Sequence, residues 1–217
     1  MLYTYVLVLG LLTGYFMEKI TTALIVKRIQ GDFLNLFSGK PRHTLGWMTL
    51  NSVCWLGVVF LGGLNFYTVE CAAVLSVCMI LAAVDISIKK IPNELLLVLL
   101  LVHFTGLILR GQYSTISLYL IGLGIGLVLF LVPGLMGKGA GLGDVKFAAV
   151  VGFILGIYDF FVAVMVMGVL VLIYAVYLIG TGRGGLKSQL ALGPFLALGT
   201  AAVLIFNISL NQDLTFL

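Results

Sequence analysis

Charged residues are scarce in this sequence. Only 9% of its 217 residues are Asp, Glu, Lys or Arg, whereas 62% are hydrophobic. A soluble domain carries about 25% charged residues, so this composition excludes a soluble globular protein and leaves no room for a separate soluble domain. We therefore predict a single integral membrane domain over residues 1–217, with lipid around it and no nucleic-acid partner.

Cysteine is also rare. The three cysteines, Cys54, Cys71 and Cys78, lie in apolar stretches and form no C-x-x-C pair. This spacing supports neither a zinc site nor a disulfide framework, and it predicts that the thiols pack as small apolar groups. We expect no metal and no other cofactor. The first apolar stretch lacks a basic leader segment and a small-residue cleavage site before Glu18, so we interpret it as a retained membrane span.

Apolar stretches long enough to cross a bilayer make up most of the chain. They predict an all-α polytopic membrane bundle of about eight transmembrane helices. The predicted spans are 2–17, 46–64, 71–86, 94–109, 116–136, 145–157, 160–180 and 190–206. The longest connection, 18–45, is predicted as a short cytoplasmic loop whose first part extends the first helix into water.

The basic residues are distributed very unevenly between the predicted loops. Eleven of the twelve Lys and Arg residues fall in odd-numbered loops or at their edges, and only Arg110 falls in an even-numbered loop. Loops rich in Lys and Arg stay in the cytoplasm, so both chain termini are predicted to lie outside. This orientation puts the end of the third span and the start of the sixth at the same cytoplasmic boundary.

Asp85 and Asp144 occupy those two positions. An acidic residue at the edge of a bilayer is costly and indicates a functional site. Two nearby carboxylates do not readily ionise together and tend to share a proton. One of them can then take a proton from water while the other protonates a substrate carbonyl or a leaving amine. Structural roles stay open as well: Asp144 as a helix N-cap, and Asp85 as the i,i+4 partner of Lys89.

Some residues carry local predictions of their own. Pro92 is predicted to break the third helix, and Asn93 to cap the fourth. Gly122 and Gly126 have the spacing of a helix-packing face. His103, inside the fourth span, is predicted to be a hydrogen-bonded packing residue rather than a proton relay.

Three motifs together resemble those of the type IV prepilin leader peptidases, a family of G-x-G-D membrane aspartic proteases. In chain order they are Asp85 with Ile91-Pro92-Asn93, Gly141-Leu142-Gly143-Asp144 with Lys146, and the Leu-Gly-Pro-Phe-Leu-Ala-Leu-Gly segment 192–199. The resemblance covers about residues 71–205. It implies that Asp85 and Asp144 are the catalytic pair. The residues that it implies as supporting the site are Gly141, Gly143, Lys146, Pro92 and Asn93.

The resemblance also implies a substrate and a location. Members of this family remove the short basic leader of prepilins or pseudopilins at the cytoplasmic face of the bacterial inner membrane, in pilus assembly and type II secretion. Many members also methylate the new N-terminus with S-adenosylmethionine and bind zinc through paired C-x-x-C motifs in a large first loop. The first predicted loop of this chain has no cysteine, so we expect neither zinc nor methyl transfer. The oligomeric state is not indicated.

Two other functions stay open. One is a small proton- or cation-coupled membrane transporter whose acids bind the ion. A transporter of that kind often shows repeat-related halves with broken helices at matching positions, and the sequence shows no convincing internal repeat. The other is a non-catalytic assembly protein that has kept the fold and lost the activity, against which the intact motifs argue.

Overall fold

The computed structural model describes residues 2–28, 41–135, 141–182 and 191–215. Helices make up nearly all of this part of the chain. They are α1 (Leu2–Arg28), α2 (Pro41–Gly62), α3 (Phe66–Ile88), α4 (Asn93–Leu109), a 3-10 turn (Tyr113–Thr115), α5 (Ile116–Leu135), α6 (Leu142–Gly180) and α7 (Gly193–Thr215). The described ranges contain no β-strand, which confirms the prediction of an all-α protein.

Six helical segments of the described chain are long and apolar enough to cross a membrane. They belong to α1, α2, α3, α5, α6 and α7. Helix α4 is apolar but has only 17 residues. A helix of that length measures about 25 Å, against about 30 Å for the hydrocarbon core of a bilayer. These helices support a membrane protein, while the count of eight spans and the placement of the termini stay predictions.

Helix α6 consists of two helices that meet at Gly156. This residue has φ 74° and ψ −168°, a backbone conformation that glycine adopts far more readily than other residues. The break lies next to the predicted boundary between the spans 145–157 and 160–180. The single non-helical residue therefore replaces the short loop that the sequence predicts.

The two segments of α6 run in opposite directions. Asn207 donates a hydrogen bond to Asp159 Oδ2 at 2.6 Å, and the rings of Tyr174 and Phe195 lie 5.5 Å apart. Residues 157–180 are thus antiparallel to α7. Residues 142–155 run parallel to α7, because Asp144 lies near the start of α7 and Leu155 near Asn207. The chain therefore turns back on itself at Gly156.

The segment that the sequence predicts as a first cytoplasmic loop is helical at both of its described ends. Helix α1 continues to Arg28, and α2 begins at Pro41, a residue type that suits the first turn of a helix. The predicted extension of the first helix past residue 17 is confirmed. The rest of that prediction falls on residues 29–40, which lie outside the described part of the chain.

Glycines bring α5 and the first half of α6 into backbone contact. A Cβ atom at Gly122 would collide with the carbonyl oxygen of Gly152, and one at Gly126 would collide with the carbonyl oxygen of Ala148. The spacing of Gly122 and Gly126 thus marks a packing face within the chain, as small residues do between membrane helices. This contact fixes the position of the segment that carries Asp144.

Helix α3 packs against α1, α2, α4 and α7 and lies at the centre of the bundle. It begins with a capping box, in which Asn65 Oδ1 accepts the Thr68 N–H at 2.9 Å and Thr68 Oγ1 accepts the Asn65 N–H at 3.1 Å. It ends at Ile88, where Lys89 adopts the left-handed conformation with φ 50°. Asp85 lies in the last turn before this end.

Candidate active site

Asp85 is buried at the end of α3, with only 4% of its surface exposed. The backbone N–H of Lys89 donates to the carbonyl oxygen of Asp85 at 2.8 Å and closes the last turn. The left-handed Lys89 then directs the chain away from the helix axis. This termination comes three residues before Pro92, so the prediction that Pro92 breaks the third helix is wrong: the backbone turn at Lys89 ends the helix first.

The carboxylate of Asp85 is held by the first residue of α7. The backbone N–H of Gly193 donates to Asp85 Oδ2 at 3.0 Å, a contact between residues 108 positions apart. A Cβ atom at position 193 would lie 2.7 Å from Oδ2 and 3.1 Å from Cγ of Asp85. Only glycine therefore allows this approach of α7 without a shift of the carboxylate. The contact gives a structural reason for the glycine of the Gly-Pro-Phe segment.

Asp144 lies in the first turn of α6. Its Oδ2 atom accepts the backbone N–H of Gly141 at 3.0 Å, and Gly141 is the residue that caps the helix. The prediction that Asp144 itself is the N-cap is wrong by three positions, because the extended backbone that a cap needs lies at Gly141. The carboxylate still satisfies an unpaired N–H at the helix start and complements the helix dipole there.

Gly143 allows the chain after α3 to pack against α6. A Cβ atom at Gly143 would lie 3.2 Å from the Cβ atom of Ile91, which is closer than ordinary packing. At Gly141 the nearest atom to such a Cβ would be Asp144 Oδ2, at an ordinary 3.5 Å. The two glycines thus differ: Gly143 provides space for Ile91, and Gly141 supplies the N–H that holds Asp144.

One cavity of about 360 Å³ contains both aspartates. It is bounded by the end of α3, the turn into α4 and the start of α6. The lining residues are Asp85, Lys89, Lys90, Ile91, Asn93, Gly141, Leu142, Gly143, Asp144 and Lys146. The structure thus brings together the two acids, both motif glycines, Asn93 and Lys146, all of which the sequence singled out.

Lys146 and Asn93 connect two sides of this cavity. Lys146 Nζ donates to Asn93 Oδ1 at 3.2 Å and so links α6 to α4. Asn93 is the first helical residue of α4, and Pro92 takes the cap position with φ −69° and ψ 130°. The prediction that Asn93 caps α4 is therefore wrong. Pro92 is buried and does not line the cavity.

The arrangement of oxygens and donors suits a bound water. Each carboxyl group uses its Oδ2 atom to accept a backbone N–H, from Gly193 for Asp85 and from Gly141 for Asp144. Within the described residues, neither Oδ1 atom accepts a hydrogen bond. Two carboxyl groups positioned in this way can exchange protons with a water and with a substrate in the space between the helices.

The described residues contain no cluster of side chains that could bind a metal ion. No three His, Cys, Asp or Glu side chains of that part of the chain lie close enough to hold a metal ion. Cys71 and Cys78 are buried free thiols, as predicted for small apolar packing groups, and Cys54 is half-buried. Residues 136–140, which precede the G-x-G-D motif, lie outside the described residues.

A second cluster of ionisable residues lies near the other end of α3. Glu70 Oε1 is 2.6 Å from His103 Nδ1, and Glu70 Oε2 is 2.9 Å from Arg110 Nη2. The His103 ring also packs edge-on against Tyr119, with ring centroids 4.9 Å apart. The prediction that His103 is a hydrogen-bonded packing residue is thereby confirmed. Two cavities adjoin this cluster: one of about 60 Å³ that Glu70, His103 and Arg110 line, and one of about 580 Å³ that Arg110 and Tyr119 line.

Comparison with protein families gives a match over the part of the chain that builds the aspartate cavity. Residues 72–176 match the model of the type IV leader peptidase family. This segment belongs to the type IV leader peptidase family. The leader peptidase segment contains every residue that lines the cavity and both segments of α6 up to residue 176. Neither the curated proteins nor the solved structures include a significant match to the chain.

Gly193 lies outside the matched leader peptidase segment, yet it touches Asp85 directly. The sequence did contain a signal for Gly193, because this residue belongs to the third motif that resembles the family. Sequence reasoning did not assign it to the site, because nothing in the local pattern shows which residue its N–H meets. The contact of Ile91 with Gly143 and the left-handed turn at Lys89 were likewise found only in the structure.

Proposed function

We propose that this protein is an aspartic endopeptidase that removes the short basic leader of type IV prepilins or pseudopilins. One observation carries the proposal: two aspartates from different helices line a single cavity within the leader peptidase segment. The alternative function, a proton- or cation-coupled transporter, has no comparable support, because both acids lie at the same end of the bundle.

The proposed chemistry is attack of water on the peptide carbonyl. One aspartate, ionised, takes a proton from a water held between the two carboxyl groups. The oxygen of that water bonds to the carbonyl carbon, and the second aspartate, protonated, gives its proton to the carbonyl oxygen. As the tetrahedral intermediate collapses, the C–N bond breaks and the leaving amine takes a proton from the first aspartate. The hydroxyl proton of the intermediate returns to the second aspartate, which restores the starting state.

Backbone N–H groups contribute to this reaction by fixing the two carboxyl groups. Gly193 and Gly141 each hold one Oδ2 atom at 3.0 Å. Neither donor can move far, because each lies at the start of a helix. The positions of the two carboxyl groups are therefore set before substrate arrives, which is what acid–base catalysis by a pair requires.

The proposed orientation follows from the distribution of basic residues. Both termini lie outside, and the aspartate cavity opens at the cytoplasmic face of a bacterial inner membrane. The reversal at Gly156 supports a count of eight spans, because residues 142–155 and 157–180 run in opposite directions. Helices α6 and α7, which start at Leu142 and Gly193, flank the cavity with their first residues. In this orientation both helix starts lie on the same side as the basic loops.

The decisive experiment is leader cleavage of purified prepilins by the purified protein in detergent. Asp85→Asn and Asp144→Asn are tested beside wild type, with Asp159→Asn, three residues after the break in α6, as the matched control. We expect both cavity variants to lose at least about 100-fold in rate, since a general acid or base contributes about 10²–10⁴-fold. Asp159→Asn should cleave like wild type.

The readouts separate catalysis from folding. Each variant is first checked for a monodisperse elution profile and a wild-type unfolding midpoint. Near-normal cleavage by a cavity variant would remove that aspartate from the mechanism. Failure of a folded wild type to cleave any of several prepilins would refute the peptidase proposal, and proton-flux assays would then test the transporter.

A further inference from the structure

A second polar cavity lies at the end of the bundle opposite the aspartate cavity. Its volume is about 580 Å³. Helix ends surround it: Asn65 caps the start of α3, Arg110 caps the end of α4, and Tyr119 lies in the first turn of α5. The 23 residues of α3, which separate Asn65 from the helix end that carries Asp85, span about 35 Å. This cavity is therefore a separate site.

Arg110 is fixed beside this cavity by three contacts. Its Nε atom donates to the carbonyl oxygen of Gly106 at 3.1 Å, and its Nη2 atom lies 2.9 Å from Glu70 Oε2. The guanidinium carbon lies 5.1 Å from the centre of the Tyr67 ring. A guanidinium group is planar, so these contacts also fix the direction of its remaining N–H bonds.

The Nη1 atom of Arg110 can donate to a ligand. It donates to no group in the described part of the chain, and it retains accessible surface, whereas Nη2 is buried beside Glu70. Glu70 Oε1 is also 2.6 Å from His103 Nδ1. Glu70 is therefore shared between two partners and compensates the charge of Arg110 only in part. A bound anion would supply the rest.

The other polar groups of the cavity are neutral hydrogen-bond donors. The amide of Gln112 is exposed, and neither it nor the Tyr119 hydroxyl has a hydrogen-bond partner among the described residues. Of the described residues that line the cavity, only Arg110 is charged. Asp159 lines the smaller adjoining cavity instead, where it accepts the Asn207 amide at 2.6 Å. One cation among neutral donors suits a ligand with several acceptor oxygens.

The level of the cavity in the bundle favours phosphate as this ligand. The ends of membrane helices reach the head-group region of the bilayer, and tyrosines are enriched there. Tyr67 and Tyr119 both line the cavity. Phosphate is the anion that phospholipid head groups carry at this level, and free phosphate offers the same oxygens to Arg110.

We propose that this cavity binds a phosphate group, which accepts hydrogen bonds from Arg110 Nη1, the Gln112 amide and the Tyr119 hydroxyl. The phosphate belongs to a phospholipid head group or to the free ion, and the chemistry of the site is the same for both. The site does not depend on the proposed peptidase function, since it lies at the other end of α3.

Two substitutions in the lining test the proposal without disturbing the ion pair of Arg110. Gln112→Glu places a negative charge where the phosphate would lie, and Tyr119→Phe removes one hydroxyl but keeps the ring that packs against His103. Ser114→Glu and Tyr113→Phe are the matched controls. Both control positions are exposed, close in sequence and outside the lining of the cavity.

Binding is measured on the full chain in a maltoside detergent, in phosphate-free buffer of constant ionic strength. The probes are dihexanoylphosphatidylglycerol, dihexanoylglycerol, which has the same chains without phosphate, and inorganic phosphate. Each Kd is taken from the rise of the unfolding midpoint with probe concentration. For the probes that bind, we expect Kd to rise at least about tenfold in Gln112→Glu and about fivefold in Tyr119→Phe. Both controls should stay within about twofold of wild type.

The probes distinguish the two sources of phosphate. Binding of the phospholipid alone would assign the site to a lipid head group, and binding of inorganic phosphate alone would assign it to the free ion. Binding of both, with the same order of variants, would show that the phosphate group suffices. Each of these results supports the proposal.

Four results would overturn it. They are no binding of either phosphate compound, equal binding of dihexanoylglycerol and the phospholipid, unchanged binding in Gln112→Glu, and an equal loss in Gln112→Glu and Ser114→Glu. The last would mean that added charge acts at a distance rather than within the cavity. Because leader cleavage is not measured, none of these results bears on the proposed peptidase function.

Discussion

The two ends of α3 bury acidic residues in opposite ways. Glu70, in the first turns, pairs with Arg110 at 2.9 Å and lies 2.6 Å from His103 Nδ1. Asp85, in the last turn, accepts the backbone N–H of Gly193 at 3.0 Å and shares a cavity of about 360 Å³ with a second acid, Asp144. The cavity beside Glu70 is about 60 Å³, room for little more than a few waters.

The difference distinguishes a paired acid from the acid that we propose to be reactive. A buried carboxylate that is paired with a cation has its charge compensated. The aspartate cavity is also lined by Lys89, Lys90 and Lys146, but two carboxylates in one cavity tend to share a proton, which can move. In the proposed function, the same helix stabilises the bundle at one end and provides for chemistry at the other. Three sets of substitutions test this distinction.

The largest expected effect is on stability at the Glu70 end. Glu70→Gln removes the charge that pairs with Arg110 and should lower the free energy of unfolding in detergent by about 3 kcal/mol, the scale for breaking a buried ion pair. Leader cleavage per folded molecule should stay within about twofold of wild type. The unfolding midpoint and the specific activity are measured on the same preparation.

The double variant Glu70→Met with Arg110→Met serves as the control. It removes both charges, so it should regain most of the lost stability, because apolar replacement of a buried pair is often close to neutral. If the Glu70→Gln protein were fully stable but inactive, the structural and the reactive end of α3 would have to be exchanged.

A smaller expected effect is on activity at the Asp85 end. Gly193→Ala places a Cβ atom 2.7 Å from Asp85 Oδ2, which is closer than non-bonded atoms pack, so the carboxylate must shift. A displacement of a catalytic group by about 1 Å costs on the order of 100-fold in rate, or about 2.7 kcal/mol of transition-state stabilisation. We expect this loss in kcat with an unfolding midpoint close to that of wild type.

Gly124→Ala is the matched control for that substitution, because a Cβ atom at Gly124 meets nothing within 4 Å. It should cleave prepilin at the wild-type rate. If Gly193→Ala were equally active, the hydrogen bond to Asp85 would have no role in positioning the carboxylate.

The smallest expected effect concerns the exposed link across the cavity. Lys146 Nζ and Asn93 Oδ1 are 3.2 Å apart and both side chains are exposed. A double-mutant cycle with Lys146→Met and Asn93→Ala should give a coupling energy of about 0.5–1 kcal/mol in unfolding, the usual range for exposed hydrogen bonds. A coupling near 3 kcal/mol would place this pair among the main determinants of the cavity.

Much of the helical architecture could be predicted from the sequence, because apolar stretches of bilayer length are local features. The distribution of basic residues predicted that Asp85 and Asp144 reach the same membrane boundary, but the sequence alone did not show that they share one cavity. Their catalytic role stays a prediction. The contacts that hold them could not be read in advance: the Gly193 N–H meets Asp85 across 108 positions, and no local pattern reports such a partner.

Helix ends were predicted less well, for a related physical reason. Proline and asparagine are typical of helix boundaries, and the sequence accordingly assigned the boundary roles to Pro92 and Asn93. The chain instead ends α3 through the left-handed backbone of Lys89 and starts α4 after Pro92. A left-handed lysine has no signature in composition or spacing, because residues other than glycine, asparagine and aspartate rarely adopt this conformation.

The reversal at Gly156 also bears on how the protein reaches the membrane during synthesis. Most pairs of spans require a polar connecting loop to be carried across the bilayer, with loss of its hydration. Here only one residue with non-helical backbone separates the two segments of α6, so the pair has almost no connecting loop to carry across. In the proposed orientation the pair can enter from the cytoplasmic side as one hairpin, which delivers Asp144 to the membrane boundary without its charge crossing the lipid.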